Sequence, residues 1–378
     1  MTEIIRNVSE ATETLREGVA EGEHSRNLPA KSVAALRSSG VFKMMMPREV
    51  GGGDCHPCEM VEALEIVSAA DPAAGWCAMI GCDIGHYYRR LEPSARAALK
   101  MNAESIVAGW LSPIGDAKIQ DDGILVSGSW AYASGINHAN VVVLGTKLDN
   151  GDGVNRHVLA LVEKDSVVVE NNWNTLGLRA SGSHNYTCNN VYVPFDRVLE
   201  VPAADVAQAD PYSRQDILLS KMPGIPLGVA NAAIAYARGL LRGDTELSGN
   251  ETRRNVSLSQ QCKLEAFGQA LMLYRIAKDS VHRSLEEYWK LAERGLPVAT
   301  PIRVHMALAR YNAFKAADEV VRMLFDAFGN IAIHSSQGPL ERLLRDITTM
   351  KQHAVAQRKI VSGIADLALF QRAGVAFV

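Results

Sequence analysis

The sequence has few cysteines, and none are grouped as in a disulfide-stabilised secreted domain. Six are scattered over 378 residues, which favours reduced thiols and a cytoplasmic protein. Cys55-His56-Pro57-Cys58 has C-x-x-C spacing, but it follows three glycines, and no second Cys/His pair has the spacing that would complete a zinc site. A redox or metal role is the alternative. We expect these cysteines to pack a loop, and we expect no metal.

An excess of charge of one sign is also lacking. A formal net charge of −3 gives no basis for a nucleic-acid partner or an anionic membrane. No apolar run approaches the ~20 residues of a membrane helix, and the first residues lack the basic-then-apolar order of a secretory signal. The chain contains no G-x-G-x-x-G after a strand and no P-loop, so it has no evident nicotinamide site.

Hydrophobic periodicity divides the chain into three blocks. Apolar residues recur at three- and four-residue steps up to about Met101, and again from about Asp205 to the end, which predicts helices. Between about Ser105 and Pro202 the chain has short β-branched runs and Asp-Gly or Asn-Gly turn signals, which predict strands. We therefore predict an α+β fold with a helical domain at 1–104, a β domain at 105–204 and a helical domain at 205–378.

Several motifs in this order resemble the acyl-CoA dehydrogenase superfamily. They are Leu28-Pro29 to Phe42 with Met46-Pro47 and Gly51-Gly52, then Leu176 to Ser183 with Val191 to Pro194, and finally Leu340 to Asp346. The resemblance implies a central β-barrel or β-sandwich, a C-terminal four-helix bundle and a homotetramer. Apolar residues from Ile360 to Phe370 agree with burial against a partner subunit.

The catalytic base of that superfamily is replaced here. Its catalytic Glu sits two residues before the proline of the late helical segment, and this chain has Gln337 before Pro339. Lys221 matches the other position where some members carry the base. Because neither side chain is a carboxylate, we expect the chain to have lost α-proton abstraction and to perform another flavin chemistry.

Within the superfamily, the chain resembles the oxygenase branch, two-component flavin monooxygenases related to p-hydroxyphenylacetate hydroxylase. This resemblance is carried by Gly75-Trp76, by Gly109 to Gly115 with Gly128 to Gly135, and by His353 seven residues after Asp346. It implies an oxygenase component that uses O₂ and reduced FAD or FMN, supplied by a separate NAD(P)H-dependent reductase. It also implies hydroxylation of a small aromatic or heteroaromatic substrate through a C4a-hydroperoxyflavin.

Three alternatives remain open. The same intermediate can oxygenate nitrogen or sulfur. An acyl-CoA dehydrogenase with a displaced base is a second alternative, and a non-catalytic protein on this fold is a third.

Ser134 and His353 are the catalytic candidates that the resemblance implies. A hydroxyl on a tight Ser-Gly turn can donate a hydrogen bond near flavin N5 in a site that excludes water. An imidazole with an ordinary pKa of ~6.5 can take a proton from the substrate hydroxyl. The alternatives are an ordinary turn serine and a surface histidine.

The binding candidates come from the same motifs. Strand alternation predicts that Trp130, Tyr132 and Ser134 share one face, although aromatics in strands more often pack a core. Arg253-Arg254 could bind the flavin phosphate or be a solvated pair. The predicted flavin ligands are Trp110, Ser112, Trp130, Tyr132, Ser134, Gly135, Gly182, Ser183 and Arg254, and the predicted substrate ligands are Trp76 and His86.

Two further features are predicted to be structural. His138 is expected to be a turn histidine that bonds backbone groups. Arg345-Asp346 is expected to be an ion pair that supports the fold rather than a ligand contact.

Overall fold

Helices, then strands, then helices follow one another along the chain in a computed structural model of the protein, as predicted. The structure describes residues 1–149, 154–201, 209–243, 256–336 and 338–372. Arg253, Arg254 and Gln337, which are discussed above, lie outside these ranges. The α+β fold class is confirmed, whereas the division into domains at 104 and 204 stays a prediction.

Six helices precede the strands. They are α1 (Glu3–Ser25), α2 (Ala30–Ser39), α3 (Pro57–Ala70), α4 (Pro72–Gly81), α5 (Ile84–Arg90) and α6 (Pro93–Ala98). Asp71 sets the start of α4, because its Oδ1 accepts a hydrogen bond from the Ala73 amide at 2.9 Å and Pro72 occupies the first helical position. This cap fixes the helix that carries Trp76.

Seven strands form one sheet in the order β5-β6-β2-β1-β3-β4-β7. The strands are β1 (Val107–Gln120), β2 (Gly123–Ala133), β3 (Val141–Asp149), β4 (Asn155–Glu163), β5 (Val168–Glu170), β6 (His184–Pro194) and β7 (Val198–Glu200). The β1–β3 pair is parallel and the other pairs are antiparallel. The register shifts between Trp110 and Gly115 on β1 and between Trp130 and Ala133 on β2. Both irregularities lie at predicted site residues.

The remaining helices follow the sheet. They are α7 (Ile217–Ser220), α8 (Gly224–Arg242), α9 (Val256–Ala292), α10 (Thr300–Phe328), α11 (Asn330–Ile333), α12 (Leu340–Met350) and α13 (Lys359–Phe370). Ile217–Arg242, which comprises α7 and α8, is the single segment of the described residues with the length and apolarity of a membrane span. The mean hydropathy of its most apolar window is 1.3. Since 83% of its most apolar window is buried inside the protein, it serves as a core helix.

The two helical parts share one hydrophobic core. Buried residues from Ile5 on α1 to Ala356 beyond α12 belong to the same cluster, and the sheet has a separate core around Trp130 and Tyr186. Helices α3 and α8 pack so closely that a Cβ at Gly228 would lie 2.4 Å from the carbonyl oxygen of Glu65. The sheet therefore sits against a single helical body built from both ends of the sequence.

Candidate functional site

Ser134 lies directly after β2, at the start of a chain of hydroxyl groups. Its Oγ accepts a hydrogen bond from Trp76 Nε1 at 3.0 Å and lies 2.7 Å from Ser183 Oγ. Ser183 Oγ is in turn 2.7 Å from Ser181 Oγ. All three hydroxyls are buried, with Ser134 6% exposed. The structure thus brings together Trp76, Ser134 and Ser183, which sequence reasoning placed in one site from three distant segments.

The direction of donation along these hydroxyls decides what Ser134 can do. The Trp76 indole can only donate, so it occupies one of the two acceptor positions on Ser134 Oγ. If Ser181 donates to Ser183 and Ser183 donates to Ser134, both positions are filled, and the Ser134 proton is left to donate elsewhere. If donation runs in the opposite direction, the Ser134 proton is donated to Ser183 Oγ and is not available to another acceptor. Both directions fit the distances.

Glycine conformations bring these segments together. Gly135 has φ 73° and donates its amide to the Ser181 carbonyl at 2.9 Å. Gly182 has φ 51°, and a Cβ there would lie 2.4 Å from Asn27 Oδ1. Both positions need the left-handed backbone that glycine adopts without steric cost. The two predicted glycines therefore lie at the site and shape the turns that carry its serines.

His353 approaches the same site from the C-terminal helices. Its ring packs edge-to-face on Trp76, with centroids 5.5 Å apart and an interplanar angle of 71°. Its Nδ1 caps the short helix Ala354–Ala356 by accepting from the Val355 amide at 3.4 Å. Burial, and then the positive charge of Arg310, lower the pKa of His353 to about 4. The imidazole is therefore neutral at physiological pH. While Nδ1 accepts from the Val355 amide, the ring proton is on Nε2, and only the other tautomer can accept a proton there.

Three aromatic rings meet at Tyr132, two residues before Ser134, and we call them the aromatic rim. Trp110 and Tyr132 have centroids 5.8 Å apart, and Trp173 meets Tyr132 edge-on at 6.3 Å. Tyr132 is 58% exposed, with φ 64°. Sequence reasoning missed Trp173. Its signal was an aromatic three residues before Leu176 to Ser183, and its Nε1 donates to the Leu178 carbonyl in that motif at 3.0 Å.

The predicted common face of Trp130, Tyr132 and Ser134 is wrong. Trp130 is 1% exposed, stacks on Tyr186 at 5.3 Å and donates to the Gly145 carbonyl at 2.9 Å. The register shift after Trp130 and the positive φ of Tyr132 break the strand alternation. Trp130 therefore belongs to the core of the sheet and has no surface to present to a cofactor.

His86 is also placed differently from the prediction. It is fully buried, and its Nδ1 donates to the Tyr212 carbonyl at 2.9 Å while its Nε2 accepts from Arg90 at 3.2 Å. Burial and then Arg90 lower its pKa to about 3. With both ring nitrogens bonded inside the protein, His86 supports the fold and does not line a substrate pocket.

Ser112 and Arg254, predicted as cofactor ligands, and His138, predicted as a turn histidine, are the remaining residues to place. Ser112 lies in the β1 irregularity, where its carbonyl oxygen would be 2.3 Å from a Cβ at Gly145. Arg254 lies outside the described residues. His138 ends a short helix beside the site; its carbonyl accepts from Arg37 at 3.2 Å, and burial lowers its pKa to about 4.

Neither dehydrogenase base position gains a carboxylate. Lys221 is fully buried; it donates to the carboxylate of Asp83 and to the Leu218 carbonyl at 3.0 Å. Burial lowers its pKa, but Asp83 outweighs that effect and leaves it above the ordinary value. Lys221 is thus a charged ammonium without a lone pair for proton abstraction. Gln337 is an amide in the sequence, and its placement is outside the described residues.

The predicted Arg345-Asp346 ion pair is replaced by two separate sets of contacts. Arg345 bonds Glu341 and Glu23, each at 2.8 Å. Asp346 accepts from the Leu178 amide at 2.6 Å and lies 3.7 Å from Arg342. Neighbours on a helix point in different directions, so they meet different partners.

The Cys55–Cys58 segment leads into the start of α3, where Cys58 faces α9. Burial raises the pKa of both thiols to about 12, and Glu286 adds to the effect at Cys58. Cys58 Sγ donates to Glu286 and to the His282 carbonyl at 3.7 Å. Groups from His56, Cys58 and Glu286 lie within 4.8 Å of one another, a cluster that sequence spacing did not reveal. The thiols are protonated and pack the helices.

The chain is similar to several known proteins. Residues 223–358 match the family model described as acyl-CoA dehydrogenase, C-terminal domain. Indole-3-acetate monooxygenase of Pseudomonas putida is 28% identical, over 91% of this chain and 89% of that protein. The flavin-dependent monooxygenase oxygenase subunit HsaA of Rhodococcus jostii is 26% identical, over 90% and 91%. XiaF from a Streptomyces species, solved with FADH₂ and glycerol, superposes with a TM-score of 0.88 at 22% identity, covering 98% of this chain and 95% of XiaF.

The chain has the acyl-CoA dehydrogenase-like fold. The protein is an enzyme, similar over about nine-tenths of its length to the oxygenase components of flavin-dependent monooxygenases.

Proposed function

We propose that the enzyme hydroxylates a small aromatic or heteroaromatic compound with O₂ and reduced FAD or FMN, which a separate NAD(P)H-dependent reductase supplies. The observation that carries the proposal is the buried Ser134 hydroxyl, which accepts from Trp76 and lies two residues after Tyr132, whose ring is exposed. We take the donation to run from Ser181 through Ser183, so that the Ser134 proton is available to an acceptor at the rim.

The residues at the rim fit a flavin. Exposed aromatic rings provide a stacking surface for a planar heterocycle. A hydroxyl donor at a strand end suits the N5 edge of that ring, and the left-handed glycines allow the backbone to come close. Bound reduced flavin would supply the oxygen chemistry, through the C4a-hydroperoxyflavin that the family resemblance implies.

The protein's own residues would then bind, protect and move a proton. Ser134 would hold its hydrogen bond at the flavin edge, while Trp76 and Ser183 hold the Ser134 oxygen. His353, neutral and packed on Trp76, would take the proton of the substrate hydroxyl in the tautomer whose Nε2 is unprotonated, which gives up the 3.4 Å contact of Nδ1 with the Val355 amide. Trp76 would border the substrate, since its ring separates Ser134 from His353.

The decisive experiment supplies chemically reduced FAD or FMN without any reductase. The protein is mixed anaerobically with this flavin and a panel of phenols, indoles and aryl acids, and oxygen-18-labelled O₂ is then admitted. We expect a product carrying one labelled oxygen, identified by mass spectrometry. A protein that yields no labelled product but bleaches oxidised FAD when given an acyl-CoA would instead be a dehydrogenase. The same assay with thioethers and amines detects sulfur or nitrogen oxygenation.

Removing the exposed ring at the rim should weaken flavin binding. A favourable aromatic contact is worth ~0.5–1.5 kcal/mol, so Tyr132→Ala should raise the Kd of reduced flavin ~2- to 12-fold. Tyr192→Ala is the matched control, because Tyr192 is also an exposed tyrosine of the sheet, 41% exposed on β6. Anaerobic fluorescence titration measures both. Equal effects of the two substitutions would count against the rim as the flavin surface.

We also propose that the cytoplasmic enzyme is a homotetramer. All six cysteines are free thiols, as expected in a reducing compartment. Exposed apolar side chains occur along one stripe of α9, at Leu264, Met272 and Ile276. Ile276→Glu should therefore lower the mass measured by light scattering, whereas Lys290→Glu, at an exposed position of the same helix, should leave it unchanged.

A further inference from the structure

Helix α12 contacts the segment leading to Ser181 at three successive residues. Arg345 donates to the Leu176 carbonyl at 3.0 Å, the Gly177 amide donates to Thr349 Oγ1 at 2.9 Å, and the Leu178 amide donates to Asp346 Oδ1 at 2.6 Å. We call Arg345, Asp346 and Thr349 the α12 clamp. The approach is close enough that a Cβ at Gly177 would lie 2.2 Å from the Arg345 carbonyl oxygen.

The clamped segment carries the serines of the hydroxyl chain. Leu178 has φ 51° and is followed by the short helix Arg179–Ser181, whose Ser181 amide donates to the Leu178 carbonyl at 3.0 Å. Ser183 comes two residues later. The position of Leu178 therefore sets where the Ser181 and Ser183 hydroxyls stand.

A second carboxylate fixes the other donor to Ser134. Asp71 caps α4, the helix that carries Trp76. Arg342 lies between the two carboxylates, with Nη1 3.9 Å from Asp71 Oδ1 and 3.7 Å from Asp346 Oδ2. One guanidinium thus joins the cap of the Trp76 helix to the clamp on the serine segment.

The balance of charge around Asp346 favours protonation near neutrality. Burial raises its pKa to about 7, against the opposing effects of Arg342 and the Leu178 amide, while Glu23 on α1 and Asp71 add to the rise. Burial also raises the pKa of Asp71. A carboxylate accepts a shorter and stronger hydrogen bond than a neutral carboxyl group does, so the Leu178 amide is held more firmly as the pH rises through 7.

We propose that Asp346 is a positioning residue for the reaction: through Leu178 it orients Ser181 and Ser183 so that they donate toward Ser134. This inference rests on the proposed role of Ser134. Asp346 does not contact the reacting atoms in this view, because the whole serine segment lies between them.

Two substitutions separate the hydrogen bond from the charge. Asp346→Asn keeps an oxygen that accepts from the Leu178 amide but cannot titrate, whereas Asp346→Leu removes the acceptor. Asp318→Asn is the control, because Asp318 is another buried carboxylate of the helical core and is bonded to Arg322 and Lys351 instead. Thr349→Val removes the acceptor for Gly177 without changing any charge.

The first measurement is amide hydrogen exchange of residues 176–183 in the full chain without flavin. Loss of one buried hydrogen bond should speed exchange there ~5- to 150-fold in Asp346→Leu, while Asp346→Asn and Asp318→Asn stay close to wild type. The second measurement is hydrogen peroxide released per reduced flavin oxidised. It should rise in Asp346→Leu, and its change between pH 6 and 8 should flatten in Asp346→Asn.

The outcomes distinguish this inference from the role of Ser134. If Ser134→Ala raises peroxide release but a folded Asp346→Leu variant leaves both measurements at wild type, the positioning role is refuted while Ser134 keeps its function. If Ser134→Ala has no effect, the role of Ser134 fails first. Should Asp346→Leu not fold, Thr349→Val and the pH profile of Asp346→Asn decide; wild-type behaviour in both overturns the inference.

Discussion

Ser134→Ala should release most of the reducing equivalents as hydrogen peroxide instead of hydroxylated product. The substitution removes the donor at the flavin edge and leaves Trp76 Nε1 without the oxygen to which it donates at 3.0 Å. A buried hydrogen bond of ~1–3 kcal/mol corresponds to a ~5- to 150-fold change in a rate. We expect peroxide formation to accelerate in that range, with flavin affinity changed far less because the aromatic rim is intact.

Single-turnover oxidation of premixed protein and reduced flavin measures this effect, with peroxide and product quantified together. Ser129→Ala is the matched control, since Ser129 is an exposed serine of β2, the strand that ends just before Ser134, and it pairs with Thr187 of β6. Its coupling should equal that of wild type. Unchanged coupling in Ser134→Ala would show that the hydroxyl chain has only a structural role.

His353→Asn should lower the rate of product formation ~10²-fold or more, the usual range for loss of a general acid or base. Asparagine is favoured at helix N-caps, so it should preserve the cap that Nδ1 forms with the Val355 amide. The loss should therefore appear in kcat, with little change in flavin Kd or thermal stability. His138→Asn is the control, because burial lowers the pKa of His138 to about 4 as well.

The pH dependence of the His353 effect has a defined sign. The pKa of His353 is lowered from 6.5 to about 4 by folding. Between these two pH values the ring is neutral in the folded protein and protonated in the unfolded chain. Its contribution to stability is present above pH 6.5 and is lost as the pH falls through 4. The rate of product formation should follow the neutral ring, with a plateau above about pH 5. A rate that rises between pH 6 and 7.5 in wild type, but not in His353→Asn, would contradict the lowered pKa.

Asp346 has the opposite sign. Its carboxyl pKa is raised from 3.8 to about 7, so its contribution to stability is complete below pH 3.8 and is lost as the pH rises through 7. As the pH rises between these limits, the free energy of unfolding of wild type should fall relative to that of Asp346→Asn. Urea denaturation at pH 5 and pH 8 measures the difference.

The resemblance to a known family selected Ser134-Gly135 and Gly182-Ser183, which lie on tight turns. In both pairs the glycine has the left-handed conformation that its residue type permits. Strand alternation gave the wrong face for Trp130, four residues before Ser134. A register shift depends on the pairing with the neighbouring strand, and the sequence of the shifted strand alone does not indicate it.

Tertiary burial decided the other differences. His86 was selected for its place ten residues after Trp76, but its ring bonds the Tyr212 carbonyl from a distant segment and Arg90 one turn later on α5. Arg345 and Asp346 are adjacent in sequence and were read as a pair, yet α12 turns them toward Glu341 and Leu178. Trp173 was missed because a single aromatic in a loop has no periodicity to identify it. Sequence located the turns, and the packing between distant segments determined which side chains face them.

The shared helical core has a consequence for biosynthesis. A nascent chain that has emerged only as far as the end of the sheet has made α1 to α4 but lacks α8, α10 and α12, which complete the core that these helices share. Contacts between residues near 5 and near 356 form late and require closure of a very long loop. The first hundred residues therefore leave the ribosome with one side of their core uncovered, and that side stays exposed to water until the last third of the chain has been translated.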